Sequence, residues 1–385
     1  MPGADGTILI TGARAPAALH LARLVHGAGR RVILADTPAR PIAAASKASA
    51  RYHRLPPPRF EPEAYANAVE ALIRAEGVEL VIPTCEEVFH LALAWRGRTM
   101  PGKLFAPDIG LLAQVHNKHS FIRLAEQLGL AVPQTTLLNS RDELESVRGH
   151  SRDLVFKPVW SRFASHVLLR PTPDFLDAIA PSPAMPWVAQ RFVEGEEISA
   201  YAVARKGRLK ALALYRSPYR AGKGAGIFFE RVEDEAACDL VQRIVAGTNW
   251  TGQISFDLMR EPDGRVLPLE CNPRAVSGLH FFRDPARFAD AVLGDGQEVR
   301  PDVTVPQTVR LAMWIYGLPV ALRSGGLARF RKAMREGQEL LDWPGDSALV
   351  RAQWPALAEI AGMAWRERIS LQAASTRDIE WNGQV

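Results

Sequence analysis

The spacing of apolar positions changes period several times along the chain. Thr7 to Ile10 is a short apolar run, and Thr11 to Arg14 is a turn. From Ala17 to Gly29, Leu19, Leu21, Leu24 and Val25 recur at helical spacing, and Gly27 and Gly29 close the pattern. Arg31 to Asp36 is the next apolar run. A helical stretch from Glu61 to Gly77 and a run from Glu79 to Ile82 continue the alternation. Strand, helix and strand in this order predict a doubly wound α/β unit over residues 1–112.

The character changes near His116. Lys118 to Leu128 reads as an amphipathic helix ending at Gly129, and Asp153 to Pro158 and Trp187 to Val193 read as strands. Ile198 to Ala204 and Leu209 to Tyr215 predict a hairpin turning at Lys206-Gly207, followed by a helix from Asp234 to Gly247. Tyr215 to Gly226 is longer than a plain turn, and its glycines predict a mobile lid carrying Arg216, Arg220 and Lys223. Beyond residue 300 the pattern is mainly helical and rich in Trp, and those indoles are expected in a core.

The densest chemistry lies between these parts. Gln253 to Asp257 and Leu267 to Arg274 read as two strands around the turn Glu261-Pro262-Asp263-Gly264. Glu270 and Asn272 are two apart and share one strand face. A hairpin would bring Asp257 to the same place, making three oxygen donors of the kind Mg²⁺ takes. Carboxylates set in apolar strands need partners, and a cation is one; simple solvation at a hairpin's flank is the alternative. Arg274 follows as a fixed positive charge suited to a phosphate.

Composition narrows the class. Within 385 residues, 47% apolar and 23% charged side chains describe an ordinary globular chain with room for two or three domains. A net charge of +5 without any Lys/Arg block excludes a nucleic-acid arm. No run approaches a membrane span, and the polar start lacks a leader pattern, so no membrane partner is expected. Three cysteines, Cys85, Cys238 and Cys271, lack paired metal spacing and suit buried thiols in a cytoplasmic protein. The first βαβ unit closes on Asp36, as in a dinucleotide site. Its turn, however, reads Gly12-Ala13-Arg14-Ala15-Pro16 and lacks G-x-G-x-x-G, which argues against an NAD-dependent oxidoreductase.

Several motifs occur in a telling order: Asn117-Lys118-His119-Ser120-Phe121 with Leu128 to Pro133, Phe156-Lys157-Pro158, Gln190 to Glu197, Phe256-Asp257, and Glu270-Cys271-Asn272-Pro273-Arg274. Together they resemble the ATP-grasp family of ATP-dependent carboxylate-amine ligases, over roughly residues 5–300. The resemblance implies an α/β and α+β chain: a Rossmann-like N-terminal domain at 1–112, an ATP-grasp domain at 113–300 hinged near 190–194, and a mainly helical C-terminal lobe at 301–385. It implies ATP and Mg²⁺ as cofactors, with Mn²⁺ able to substitute. Lys118 and Lys157 match the nucleotide-binding lysines, and Gln190 with the backbone of Arg191 and Val193 matches the adenine edge. Glu197 matches the ribose acceptor, and Asp257, Glu270 and Asn272 match the Mg²⁺ ligands.

The same resemblance implies the reaction. A carboxylate is activated as an acyl phosphate and attacked by an amine, with Arg274 and Lys157 as catalytic cations; the sequence itself adds Arg216 and Arg220 of the long segment as catalytic candidates that could meet phosphate or a substrate carboxylate, a disordered basic loop being the alternative. Three departures stand out. The loop after Lys157 has no glycine, leaving Ser161, Ser165 and Arg162 to meet phosphate; Arg191 replaces a common acid; and the lid is long. Small carboxylate and amine substrates are the expected partners, with Glu86 and Glu87 as candidates for holding an amino group. Oligomeric state is not legible in the sequence; many relatives pair as dimers, which leaves a homodimer open. The competing readings are the oxidoreductase and a non-catalytic nucleotide-binding module.

Overall fold

In the computed structural model, which describes residues 6–160, 166–222, 224–346 and 349–383, the first apolar run is β1 (Thr7–Thr11), buried throughout. A run without polar alternation suits a strand covered on both faces. It sits at the centre of a parallel sheet with β2 (Val32–Asp36), β3 (Arg51–Arg54), β4 (Val78–Ile82) and β5 (Lys103–Leu104), in the order β3-β2-β1-β4-β5. Helices Pro16–Gly27 and Pro62–Glu76 each begin on a proline, which gives up no hydrogen bond in the first turn. Gly12, after β1, has φ +76°, and a Cβ there would lie 2.5 Å from Thr84 Oγ1. Only glycine lets the loop after β1 pack so closely on the loop after β4.

A small antiparallel sheet follows, built from β6 (Thr135–Leu138), β7 (Leu154–Pro158), β8 (Leu168–Leu169) and β9 (Trp187–Arg191) in the order β6-β9-β7-β8. The preceding helix starts at Lys118 because the Asn117 side chain accepts from the His119 and Ser120 N–H groups.

The third sheet is the largest: β10 (Glu196–Arg205), β11 (Arg208–Ala221), β12 (Ala225–Val232), β13 (Gly252–Arg260), β14 (Val266–Asn272), β15 (Gln307–Thr308) and β16 (Gln338–Glu339), ordered β14-β13-β10-β11-β12-β15-β16. Lys206 and Gly207 both have positive φ, 47° and 73°, the two-residue turn whose twist matches the flanking strands. Alternation along β10 and β11 splits the core. Tyr201, Val203, Ala211 and Ala213 face a cluster with Phe281 and Phe288, while Ala200, Ala202, Leu212 and Leu214 face Leu240, Val241, Phe121 and Ile122.

Two expectations are corrected. The supposed mobile lid at 216–226 is largely regular sheet: Tyr219 pairs with Phe228, Arg220 with Gly226 and Ala221 with Ala225, and the described part of the turn is narrow, with Gly222 at φ +64°. Lys223 lies outside the described residues. The C-terminal indoles are not mainly core. Trp314, Trp354 and Trp365 are 53%, 61% and 82% exposed. Trp343 does pack on the core and is faced by the Arg23 and Arg283 guanidinium groups. The C-terminal segment is tied to the large sheet, since β15 pairs with β12 and β16 with β15. Among the described residues, no helix is long and apolar enough to cross a membrane.

Candidate active site

The hairpin read from the sequence forms as expected. β13 and β14 run antiparallel, Asp257 stands opposite Glu270, and Ser255 stands opposite Asn272. A register shift just after Asp257 leaves Leu269 without a partner. Such a bulge re-aims the neighbouring side chain, here Glu270. Pro268 is tolerated because β14 is the edge strand. The Ser199 hydroxyl, one strand over on β10, donates to Asp257 Oδ1 at 3.2 Å.

Two lysines reach this hairpin from elsewhere. Lys118, 4% exposed at its helix start, places Nζ 3.7 Å from a Glu270 carboxylate oxygen. Lys157 ends β7 of the small sheet and is equally buried, so the two sheets meet at the carboxylates. The electrostatics follow from that crowding. Burial, then the charges of Glu270 and Glu197, push the Asp257 carboxyl up to about 7. Burial acts on Glu270 too, but the ammonium groups of Lys118 and Lys157 outweigh it and hold that carboxyl below its usual value. Burial and Lys118 pull Lys157 down to about 8, against the opposing pull of Glu270 and Asp257.

Lys157, Asp257 and Glu270 border a cavity of about 1260 Å³ between the N-terminal, small and large sheets, larger than the roughly 300–1,000 Å³ of a common ligand site. Gln190, Arg191, Val193 and Glu197 line it, as do Arg274 and Glu86. The Gln190 amide donates to Thr135 Oγ1 at 3.0 Å, and the Arg191 N–H is already given to the Gln134 carbonyl. The Arg191 guanidinium turns to Glu261 at 3.0 Å. The chain passes from β9 to β10 through Gly195, where a Cβ would run into the Arg260 backbone. Glu197 accepts from Arg220 at 2.5 Å.

Not every expected residue joins. Arg216 is half exposed, held by Glu230 at 2.7 Å and Glu196 at 3.0 Å, and it does not line the cavity. Glu87 faces inward, accepting from the Thr11 hydroxyl at 2.7 Å and the Thr84 and Cys85 N–H groups. Of the two glutamates only Glu86 borders the cavity, with an oxygen 3.9 Å from Arg274 Nε. Ser161, Arg162 and Ser165 lie outside the described residues. Sequence reasoning missed Ser199, which alternation on β10 could have placed beside Asp257. It also missed Ser375, Thr376 and Ile379, C-terminal cavity residues that no local pattern announces.

Asp36 is not available to a dinucleotide. Its carboxylate accepts from the Arg14 backbone N–H at 2.8 Å and from the same guanidinium at 2.6–3.1 Å. Arg14 in turn holds Asp378 with two contacts of 2.6 Å. The acid that would meet a ribose is spent on a structural bridge.

Residues 115–278 match the family model described as an ATP-grasp domain. The chain carries an ATP-grasp domain. Solved structures agree on the fold. N5-carboxyaminoimidazole synthetase from Staphylococcus aureus superposes with a TM-score of 0.61 at 11% identity, over 78% of this chain and 80% of that one. An L-amino acid ligase from Bacillus licheniformis gives 0.62 at 18% identity, over 79% and 80%. Phosphoribosylamine–glycine ligase from Thermotoga maritima gives 0.59 at 16%, over 78% of each. No curated protein matches the sequence. The matched residues take in the small sheet, β6 to β9, and strands β10 to β14 of the large one.

The donor set suits a hard divalent cation. Asp257 and Glu270 crowd each other, and beside burial, the larger cause, the raised Asp257 carboxyl reflects their repulsion. A cation between them would remove it, with Asn272 as a neutral third oxygen. Among the described residues no group of three His, Cys, Asp or Glu side chains could hold a metal. Two carboxylates and an amide, completed by phosphate oxygens and water, is a Mg²⁺-like set rather than a Zn²⁺-like one.

Proposed function

We propose that this protein is an ADP-forming ligase that activates a small carboxylate as an acyl phosphate and passes the acyl group to an amine. The observation that carries the reading is the meeting of Lys118 and Lys157 with Asp257 and Glu270 beside a cavity that Arg274 and Glu86 also line.

Gln190, Val193 and Glu197 would take the adenosine part of ATP, with the Glu197 carboxylate accepting from ribose hydroxyls. Asp257, Glu270 and Asn272 would hold Mg²⁺, which when bound would offset phosphate charge. Lys157, buried at the cavity wall, gives its ammonium charge to the phosphates, and Lys118 adds a second. A substrate carboxylate oxygen attacks the γ-phosphorus, the bond to the β-phosphate oxygen breaks, and ADP leaves. Arg274, within reach of the same space, steadies the acyl phosphate. The amine nitrogen then attacks the acyl carbon and inorganic phosphate departs. The protein's contribution is orientation and charge, not a covalent intermediate of its own. Arg220 acts through Glu197 by fixing its carboxylate.

The site chemistry supports small-molecule carboxylates and amines as substrates. Glu86 is buried beside Arg274 and supplies an anion where an ammonium group would sit. The experiment is ADP release from the purified protein with ATP, Mg²⁺ and a panel of carboxylates and amines. Release that requires both a carboxylate and an amine supports the ligase. Nucleotide binding without release would leave a binding module in its place.

A further inference from the structure

We propose that the outward face of the helix Leu349–Glu367 is an interface with a second copy of this chain, paired antiparallel about a two-fold axis. The helix has 19 residues, roughly 28 Å at 1.5 Å per residue. Its inward side is settled by contacts. The Glu359 carboxylate accepts from the Ala39 and Arg40 N–H groups at 2.8 and 2.9 Å, and Ile360 and Met363 border a cavity shared with Pro41 and Ile42. The opposite side is where solvent-facing helices carry charge. Here it carries Val350, Trp354, Ala358, Ala361 and Trp365, at steps of 4, 4, 3 and 4, every one of them exposed. Val350, Trp354 and Trp365 are 59%, 61% and 82% open. Scattered exposed apolar residues are ordinary, but a continuous stripe along about four turns is an interaction surface.

The order of sizes on the stripe identifies the occupant. From Trp354 to Trp365 it reads the same from both ends about a point between Glu359 and Ile360. An antiparallel copy centred there sets Trp354 against the partner's Trp365 and Ala358 against the partner's Ala361. It also sets the half-buried Leu357 against the partner's Gly362. Large side chains meet at the ends and small ones at the crossing, where two helices come closest. A surface that is its own complement is what a two-fold interface requires. The area is also of the right size. With about 250 Å² for a whole indole, the exposed parts of four indoles supply roughly 700 Å². The Val, Leu and Ala positions bring the total toward the ~1,000 Å² of a specific interface.

The test is sedimentation velocity of the full chain, with and without Ala361→Glu. A dimer for the native chain and a monomer for the variant, with circular dichroism and ADP-forming turnover retained, is the expected result. Trp365→Ser is the second variant on the same face, expected to dissociate the dimer should Ala361→Glu fail to fold. The pairing itself is read by oxidising Ala358→Cys chains, Ala361→Cys chains and an equal mixture. The mixture is expected to give a 358–361 disulfide, identified by mass spectrometry, several-fold in excess of either chain alone, because the two positions face each other across the axis. A native chain that is monomeric at tens of micromolar, or a dimer untouched by both variants, overturns the proposal. So does a monomeric chain that floats with vesicles of phosphatidylcholine and phosphatidylglycerol, which would make the stripe a lipid surface.

Discussion

Asp257 stands directly opposite Glu270 across the β13–β14 ladder, two acids facing each other where an antiparallel pair ordinarily avoids like charge. The two resolve the conflict unequally. Glu270 has Lys118 and Lys157 beside it and stays charged, while Asp257 is pushed up to about 7. Glu270→Ala removes the better-ionised member of the pair. ADP formation is expected to fall by about 10²–10³-fold or more, the loss typical of removing one electrostatic element from a transition-state site. The thermal midpoint is expected to move little, because the repulsion with Asp257 vanishes along with the pairing to Lys118. ADP release and a thermal melt on the same sample check both statements; unchanged turnover would remove the hairpin from the chemistry.

Glu197 and Arg220, both lining the cavity, face each other at 2.5 Å. Glu197→Ala is expected to raise the KM for ATP about tenfold with kcat nearly kept, as for the loss of roughly 1.4 kcal/mol of binding that is equal in ground and transition states. Arg220→Ala is expected to give the same pattern at smaller size, because it leaves Glu197 in place but unsteadied. Steady-state kinetics with ATP varied at saturating carboxylate and amine separates KM from kcat. A fall confined to kcat would place Glu197 at the reacting phosphate instead.

Acid lability is built in by two histidines in the core between the N-terminal helix Pro16–Gly27 and the large sheet. His20 donates from Nε2 to the Phe282 carbonyl at 2.6 Å and meets His280 edge-on at 4.9 Å. Burial pulls His20 down to about 3 from 6.5, and burial with the neighbouring His20 and Arg23 pulls His280 well below its ordinary value. The unfolded chain therefore binds protons that the fold refuses. Stability from this source is whole above about pH 6.5 and is lost as pH falls from there toward 3, by up to about 1.4 kcal/mol per histidine per pH unit. His20→Gln keeps a donor near the Phe282 carbonyl and removes one titrating group. Urea melts between pH 7 and 4.5 are expected to show a shallower decline for the variant. Parallel curves would mean the histidine stays neutral in both states.

The sequence exposed the site more fully than it exposed the packing around it. Alternation and a turn signal placed Asp257, Glu270 and Asn272 on one hairpin, because a two-residue period determines which side chains share a face. Asn117 marked the helix start that presents Lys118. Periodicity does not say which face meets the rest of the molecule. The 3.6-residue spacing of Leu349–Glu367 offers two apolar sides, and only the contact of Glu359 with Ala39 and Arg40 decides between them. Residues 216–226 read as a loop because Pro218 and three glycines break the alternation. The partner strand β12 holds the segment in the sheet despite them, with register shifts on either side of Tyr219. The union of Arg14 with Asp378 spans nearly the whole chain, and no local pattern encodes a contact between such distant positions.

That union makes the last prediction. The Arg14 guanidinium, 10% exposed, bridges Asp36 at the end of β2 to Asp378 near the C-terminus, and its Nη1 also donates to the Ser375 carbonyl at 2.9 Å. Arg14→Ala would strand two buried carboxylates with no cation between them and is expected to cost about 3–5 kcal/mol. Asp378→Ala leaves Arg14 still held by Asp36 and is expected to cost less, about 1–3 kcal/mol. In the double variant only Asp36 remains, and its Thr37 N–H contact at 2.7 Å persists. The two losses are therefore expected to combine to less than their sum, a coupling of 1 kcal/mol or more in a double-mutant cycle by urea denaturation, taking ~1 kcal/mol as the scale for contacting pairs. Limited proteolysis gives the local readout: Asp378→Ala is expected to open cleavage at 370–383 while the ATP-grasp sheets stay protected. Additive losses with no new cleavage would show that the C-terminal segment is held by Phe89 stacking on Trp381 at 4.5 Å rather than by the ionic bridge.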